Sequence, residues 1–333
     1  TLFMYLPWSS NLTNYFYNNI SDLEKCITKI GLNNEKVIVF ISTGSTEAMM
    51  FEIVSSHGRC KREILKKYKS PPFTTIDGIT AILNDVKAFA PASVYTMIIG
   101  CHGMGWLPVY EMKVRSAPHM KMHWEYQGVP LTRYFGGLTA EYQTDIKSLA
   151  SGIANAGMKM EYILFDDCYM SSIEVAYELK DVTKYLIGST SEMMAYGMPY
   201  AAIGEIMPCG TLAVTDCSEL ENMAAIIKSI NSKYSFDKSL RGTIQRLDGY
   251  TPVIFYDFAD YITSLCNDPI LLNQFREQLN HLVPYKTHTK NFYTMAKGII
   301  PINTFSGITT SDPSDNPMTV LKENTLWYKA AHN

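Results

Sequence analysis

A doubly wound α/β fold with a mostly parallel sheet is the architecture this sequence predicts, and three observations predict it. Strand-like apolar runs alternate with amphipathic helical segments through residue 190. One of those runs, "KVIVFIS" (36–42), is continuously apolar, as strands buried on both faces are, and "SVYTMIIG" (93–100) reads as the next buried strand. Runs also stop abruptly on chemistry-bearing residues, "GCHG" after one and "DDC" after another, as happens beyond the strand ends of open α/β sheets.

The elements follow in order. "TLFMYLP" (1–7) reads as a strand, and 13–30 as a helix with Asn11 and Thr13 offering N-cap oxygens. After the strand at 36–42, residues 49–69 read as a hairpin followed by a basic segment, "RCKREILKKYK", whose ordinary role is a solvated face. Helical spacing of Ile79, Ile82, Leu83, Val86 and Phe89 predicts a helix over 75–90, stopped by Pro91. The strand at 93–100 leads into a long excursion, 107–137, with scattered proline and glycine; loops of that length in compact domains are usually functional. A helix at 139–156 ends at Gly157, and "EYILFDD" (161–167) is the next strand. A helix at 169–181 carries a capping-box pattern from Ser171 to Glu174, and "KYLIGST" (184–190) follows as a strand. Beyond it come a helix at 218–233, a strand at 252–258 leading into a helix, a helix near 268–283 and a strand at 302–310. Periodicity does not place this last third well. The expected division is a core over 1–233 and a C-terminal region over 234–333 packed on it as an extension or small subdomain.

Composition bounds the function. Hydrophobic residues are 47% and charged residues 18% of 333, ample for a buried core. A formal charge of −3 gives no footprint for nucleic acid. No apolar run reaches the roughly 18–20 residues of a spanning helix. The chain opens at Thr1 directly in a strand, which reads as a processed start, with any signal segment already gone. Seven cysteines, odd in number, widely spaced and without C-x-x-C, argue against a zinc cluster or a disulfide framework.

His102 and Cys168 carry the chemistry. Each follows a core strand, and the 66 residues between them (168 − 102) contain a helix, enough for a right-handed crossover that makes the two strands parallel neighbours. Such neighbours lie about 4.8 Å apart, so the two side chains can meet across one sheet edge. A cysteine at a helix mouth is favoured as thiolate, and a histidine beside it can act as its general base. The N–H of Gly103 and that of Cys168 are candidate donors to the oxyanion of a tetrahedral intermediate. Each residue alone has a plainer role: a small buried apolar cysteine, a histidine in a glycine-rich turn.

Other patterns are weaker. "GCHGMG" is not a dinucleotide fingerprint, and Ser42-Thr43-Gly44-Ser45 lacks the lysine of a phosphate loop. His119 and His123 stand at i, i+4, but "HMKMH" lacks the glutamate of a zinc peptidase; with the free cysteines they define a third reading, metal or redox chemistry.

Taken together, "IIGCHGMGW" and "ILFDDCYMSSIEVAYELKD" resemble the histidine and cysteine motifs of the clostripain-like cysteine peptidases, family C11, of the caspase, gingipain, legumain and separase clan. The histidine pattern is matched by His102, Gly103, Met104, Gly105 and Trp106. The nucleophile pattern is matched by Phe165, Asp166, Cys168, Met170 and "EVAYEL". "YLIGSTSEMMAYGMPY", "SGITTSDPS" and "LWYKAA" extend the likeness, which is thin before residue 90 and over 234–300. The resemblance implies a caspase-like fold, a His102–Cys168 dyad and cleavage after Arg or Lys, with Asp166 at the floor of the S1 pocket and Ser191 and Glu192 on its opposite wall. It also implies self-cleavage between the motifs, with Arg115–Ser116 the first choice and Lys113, Lys121 and Arg133 the other sites in the excursion. No cofactor is implied as required; calcium is an option because some relatives use it, although "SDPSDNP" lacks the EF-hand pattern. Expected partners are protein or peptide substrates with a basic P1 residue. A monomer is expected, secreted, periplasmic or surface-anchored in a bacterium.

The chain departs from the family pattern at two places beside the dyad. Asp167 replaces an alanine, an extra carboxylate that opposes thiolate formation unless it is paired. Cys101 replaces the commoner aspartate before the histidine. These departures, and the long interval, leave a second reading: a catalytically inactive binding protein on the same fold.

Overall fold

A computed structural model describes residues 1–107, 136–137, 142–201, 210–248, 254–294, 297–315 and 319–333. Most of the 107–137 excursion, with Arg115, Lys121, His119 and His123, lies outside the described residues, as does Cys209. The chain divides into two compact units. Among the described residues the first takes in 1–103, 136–137, 142–168 and 193–201, and the second takes in the remainder.

The first unit is built on a six-stranded sheet. In chain order its elements are β1 (Leu2–Leu6), α1 (Thr13–Ile30), β2 (Val37–Ser42), β3 (Glu47–Ser56), β4 (Arg59–Lys69), α2 (Ile76–Phe89), β5 (Tyr95–Ile99), α3 (Ile146–Asn155) and β6 (Met160–Phe165). Spatial order is β6-β5-β1-β2-β3-β4. The first four strands run parallel, and β3 and β4 add an antiparallel hairpin. Its turn has positive φ at both His57 (51°) and Gly58 (69°), the two-residue geometry that matches strand twist.

Alternation along the strands sorts the core into two faces. Met4, Leu6, Val37, Val39, Ile41, Phe51 and Ile53 pack with Phe16, Ile20 and Ile27 of α1. Phe3, Tyr5, Phe40 and Tyr68 form a run of ring contacts on the other face, where the Tyr68 hydroxyl donates to Asp85 of α2 at 2.8 Å. The basic segment is strand β4, at the sheet edge. Its Arg62 pairs with Glu24 of α1 and its Lys66 with Asp85, while other side chains such as Lys61 and Lys69 face solvent.

Two helix starts differ from the sequence expectation. A short 3-10 turn, Ser10–Leu12, precedes α1, whose N-cap position is Leu12 with no side-chain bond, so neither Asn11 nor Thr13 caps it. α3 begins at Ile146 instead of 139, because the Asp145 carboxylate accepts from the N–H of Ser148 at 2.7 Å and fixes the start there.

The second unit contains α4 (Ile173–Leu179), β7 (Thr183–Gly188), β8 (Thr211–Asp216), α5 (Leu220–Asn231), β9 (Tyr256–Asp257), α6 (Phe258–Leu265), α7 (Pro269–Leu282), β10 (Tyr285–His288), β11 (Asn291–Thr294), β12 (Gly298–Pro301), β13 (Thr309–Thr310) and α8 (Leu326–His332). β7, β8 and β10 pair antiparallel, as do β11 with β12 and β9 with β13. Tyr177 of α4 and Phe258 of α6 both meet Trp327 of α8 edge-on, and Phe258 also meets Phe275 of α7.

This unit buries charge. Lys322 Nζ lies 2.8 Å from Glu174 Oε1, with side-chain exposures of 6% and 0%. The same oxygen accepts from Thr310 Oγ1 at 2.9 Å and from the N–H of Ser311 at 3.2 Å. The expected capping box is therefore not formed. Ser172 caps α4 by accepting from Val175, Ser171 donates to the carbonyl of Gly307, and Glu174 is committed to Lys322. α4 also starts at Ile173, five positions after Cys168 (173 − 168), so the nucleophile candidate does not stand at its first turn.

Candidate active site

Three neighbouring strand ends deliver the site. In the β6-β5-β1 order, β5 is the middle strand, with Ile99 in register with Phe165 on one side and with Tyr5 on the other. Three residues beyond Ile99 is His102, and three beyond Phe165 is Cys168 (102 − 99 and 168 − 165). The ladder continues past the strands: Asp166 donates its N–H to the carbonyl of Ile99 at 2.8 Å, and Gly100 donates to that of Tyr5 at 3.1 Å.

The two motifs touch at Gly103. A Cβ built on this residue would lie 2.5 Å from the carbonyl oxygen of Cys168 and 2.8 Å from the Cβ of Asp167. Only glycine permits that approach, which is the physical reason for Gly after the histidine. His102 is fully buried; its Nε2 lies 2.9 Å from Asn11 Oδ1, and its N–H donates to the carbonyl of Gly136 at 3.2 Å. Cys168 is 1% exposed. Its sulfur accepts the N–H of Met193 at 3.1 Å and lies 3.7 Å from the carbonyl of the same residue. The N–H aimed at sulfur favours the thiolate, while the carbonyl, as acceptor of the S–H, favours the thiol.

Both departures from the family pattern find each other. Asp167 Oδ1 accepts the N–H of Cys101 at 2.6 Å, and the Cys101 thiol lies 3.6 Å from Oδ2. The extra carboxylate is thus paired, and it ties the end of the histidine strand to the end of the cysteine strand. Cys101, which had no role in the sequence, is its partner. Nearby, the Tyr5 phenol is pushed well above its ordinary pKa, first by burial and then by the charge of Cys101, and it stays protonated while donating to the carbonyl of Phe73.

Asp166 is buried at 1% exposure. Its Oδ1 accepts the N–H of Met198 at 2.8 Å and its Oδ2 accepts the Tyr200 hydroxyl at 2.8 Å. Residues 193–200 therefore serve both the sulfur of Cys168 and the carboxylate of Asp166. Sequence reasoning missed Asn11, Met193, Met198 and Tyr200. Only Tyr200 had a signal, the Pro-Tyr that closes the matched segment.

Ser191 and Glu192 belong to the second unit. The Ser191 hydroxyl is buried, 3.3 Å from Thr211 Oγ1, and Glu192 Oε1 lies 2.8 Å from the Tyr169 hydroxyl. Tyr169, next in the chain after Cys168, has φ of 60°, unusual for a bulky residue. Its ring stacks on Phe255 at 5.3 Å, its N–H donates to Ser191, and its hydroxyl also reaches the carbonyl of Asp248 at 2.8 Å. The rest of the histidine motif packs in this unit too. Gly105 has φ of 62° and no room for a Cβ, which would meet Phe255 at 2.8 Å, and Trp106 donates to the hydroxyl of Ser311 at 3.1 Å. Among the described residues no group of three or more His, Cys, Asp or Glu is placed to hold a metal, and no helix is long and apolar enough to cross a membrane.

A buried thiol and a buried imidazole follow adjoining parallel strands of an α/β fold, an arrangement compatible with a cysteine protease. The clostripain family model, peptidase C11, matches residues 4–241, and the chain belongs to that family. Solved structures agree. A secreted C11 cysteine protease from Bacteroides thetaiotaomicron, "iotapain", is 56% identical, with a TM-score of 0.90 over 99% of this chain and 98% of its own. A clostripain from Bacteroides thetaiotaomicron ATCC 29148, in complex with the peptide inhibitor BTN-VLTK-AOMK, is 60% identical over 60% of this chain and 99% of its own, with a TM-score of 0.58. An inactive zymogen C11 protease from Parabacteroides distasonis shares the fold at 23% identity, with a TM-score of 0.82 over 100% of this chain and 97% of its own. No curated protein sequence matches the chain.

Proposed function

We propose that this cysteine protease is an endopeptidase that cleaves after Arg or Lys with Cys168 as nucleophile and His102 as its acid–base partner. The observation that carries the proposal is the packing of Gly103 against Cys168, which sets the two motif residues on touching strand ends. In the reaction, His102 takes the Cys168 thiol proton and the thiolate sulfur bonds to the scissile carbonyl carbon. The carbonyl oxygen becomes an oxyanion, received by the N–H groups of Gly103 and Cys168. As the carbon–nitrogen bond breaks, His102 returns the proton to the leaving amine. Water, deprotonated by His102, then releases the acyl group from sulfur.

Asp166 is the proposed reader of the P1 cation. A desolvated carboxylate oriented by Met198 and Tyr200 is suited in charge and geometry to a guanidinium or ammonium. The peptide VLTK, which ends in lysine, in the inhibitor bound by the 60% identical relative supports a basic P1.

Latency is part of the proposal. Cys168 and His102 are 1% and 0% exposed, so the intact chain withholds its thiol from a peptide bond. Self-cleavage between the motifs, at Arg115–Ser116 first, or at Lys121, is the proposed release. The enzyme is proposed to act as a secreted bacterial monomer without a required cofactor, with calcium optional; the secreted 56% identical relative supports the compartment. The experiment is N-terminal sequencing of the active species alongside hydrolysis of fluorogenic peptides with Arg, Lys or Ala at P1. Two chains and cleavage of the basic peptides alone are expected. One intact chain active on Arg peptides would overturn the processing step, and equal cleavage of the Ala peptide would overturn the specificity.

A further inference from the structure

One polar side chain that reaches the imidazole lies outside both motifs: Asn11. It stands in the short turn Ser10–Leu12 that follows β1, the strand on the far side of β5 from β6. Three successive strand ends thus contribute Asn11, His102 and Cys168. The α1 N-cap position is Leu12 and carries no side-chain bond, so the Asn11 amide is not engaged in starting that helix. Instead Oδ1 lies 2.9 Å from His102 Nε2, across 91 residues of sequence.

We propose that Asn11 is a positioning residue that fixes the tautomer and ring rotation of His102. This rests on the reading of His102 as the base for Cys168. An amide oxygen only accepts, so its partner nitrogen carries the proton. With Nε2 protonated, the neutral ring holds its basic lone pair on Nδ1, and Nδ1 is the atom that takes the thiol proton. When the ring becomes an imidazolium, Nε2–H continues to donate to the same oxygen, so the ring does not turn between accepting the proton and delivering it to the amine. A neutral amide does this without the large rise in imidazole pKa that a carboxylate would impose. The base therefore stays able to release its proton near neutral pH.

The test compares Asn11→Ala and Asn11→Asp with the parent, all as the processed enzyme on an Arg-P1 peptide, with His102→Ala and Cys168→Ala as controls. Asn11→Ala is expected to lower kcat by about 10²-fold, the lower end of what positioned general acid–base catalysis contributes, with KM within about twofold of the parent. Asn11→Asp keeps an acceptor and adds a charge. It is expected to recover most of the lost kcat and to move the acid limb of the kcat/KM profile upward by about one pH unit. Tyr5, Cys101, Asp166, Asp167, Cys168 and Tyr200, the other titratable groups described at this sheet edge, are the same in the parent and both Asn11 variants, so the displacement reports position 11. Nitrogen NMR of His102 in the full chain, assigned with His102→Gln, reads the tautomer without turnover: Nε2 protonated in the parent, a mixture in Asn11→Ala. If the alanine variant does not fold, the aspartate variant and the parent spectrum decide. An unmoved acid limb in Asn11→Asp, or a parent His102 protonated on Nδ1, would overturn the proposal. Full activity in His102→Ala would instead overturn the dyad on which it rests.

Discussion

The two units handle polar groups in opposite ways. In the first, an apolar parallel sheet ends in polar residues: Asn11 after β1, His102 after β5, and Asp166, Asp167 and Cys168 after β6. Backbone N–H groups are aimed at the atoms that matter, from Met193 to sulfur and from Met198 and Cys101 to the two carboxylates. In the second unit, charges are paired with each other inside the fold, as in Glu174 with Lys322 and Asp248 with Arg246. In the proposed mechanism the first arrangement supplies the groups that exchange protons and meet a cation. The second pairs charges locally between Arg246 and Asp248, and across distant segments between Glu174 and Lys322. Substitutions at the first should therefore change rates, and substitutions at the second should change stability.

The largest expected break in that contrast is Lys322→Ala. It leaves the Glu174 carboxylate buried without its cation and is expected to cost about 3–5 kcal/mol in denaturant unfolding, with little effect on the turnover of whatever remains folded. Asp166→Asn should do the reverse. It keeps the shape and removes the charge, so kcat/KM on Arg and Lys peptides is expected to fall by roughly 10²–10³-fold, as for one partner of a desolvated charge pair, with the melting transition nearly unmoved. Asp167→Ala sharpens the boundary, since Asp167 stands among the site residues but bonds Cys101. Loss of its carboxylate orphans the N–H of Cys101 and should cost about 1–3 kcal/mol of stability, more than it costs in turnover. Tyr169→Phe is the smallest. Removing one shared hydroxyl is expected to cost about 0.5–1.5 kcal/mol, read by denaturant titration.

Legibility followed the same division. β2 was readable because a strand buried on both faces is a continuous apolar run, β5 because it closes on the buried Met97, Ile98 and Ile99, and α2 because its core residues recur at helical spacing. His102, Gly103 and Cys168 were readable because each follows such a strand. Three things were not. The bond from Asn11 to His102 depends on β1 lying beside β5, a fact of topology, and the same residue looked like a helix cap. The donors from Met193 and Met198 are backbone groups, which residue identity does not reveal. The short strands β10, β11 and β12 are four residues each, too few to establish a period from the sequence. Asp167 and Cys101 looked like two separate departures from a pattern, and only the β5–β6 pairing makes them one contact.

The most direct test of the central claim is hydrolysis of an Arg-P1 fluorogenic peptide by the processed enzyme and by its Cys168→Ala and His102→Ala variants, each first checked for a parental melting transition. Both variants are expected to be folded, and neither to hydrolyse the peptide measurably. A folded Cys168→Ala variant that still cleaves after arginine would contradict the claim.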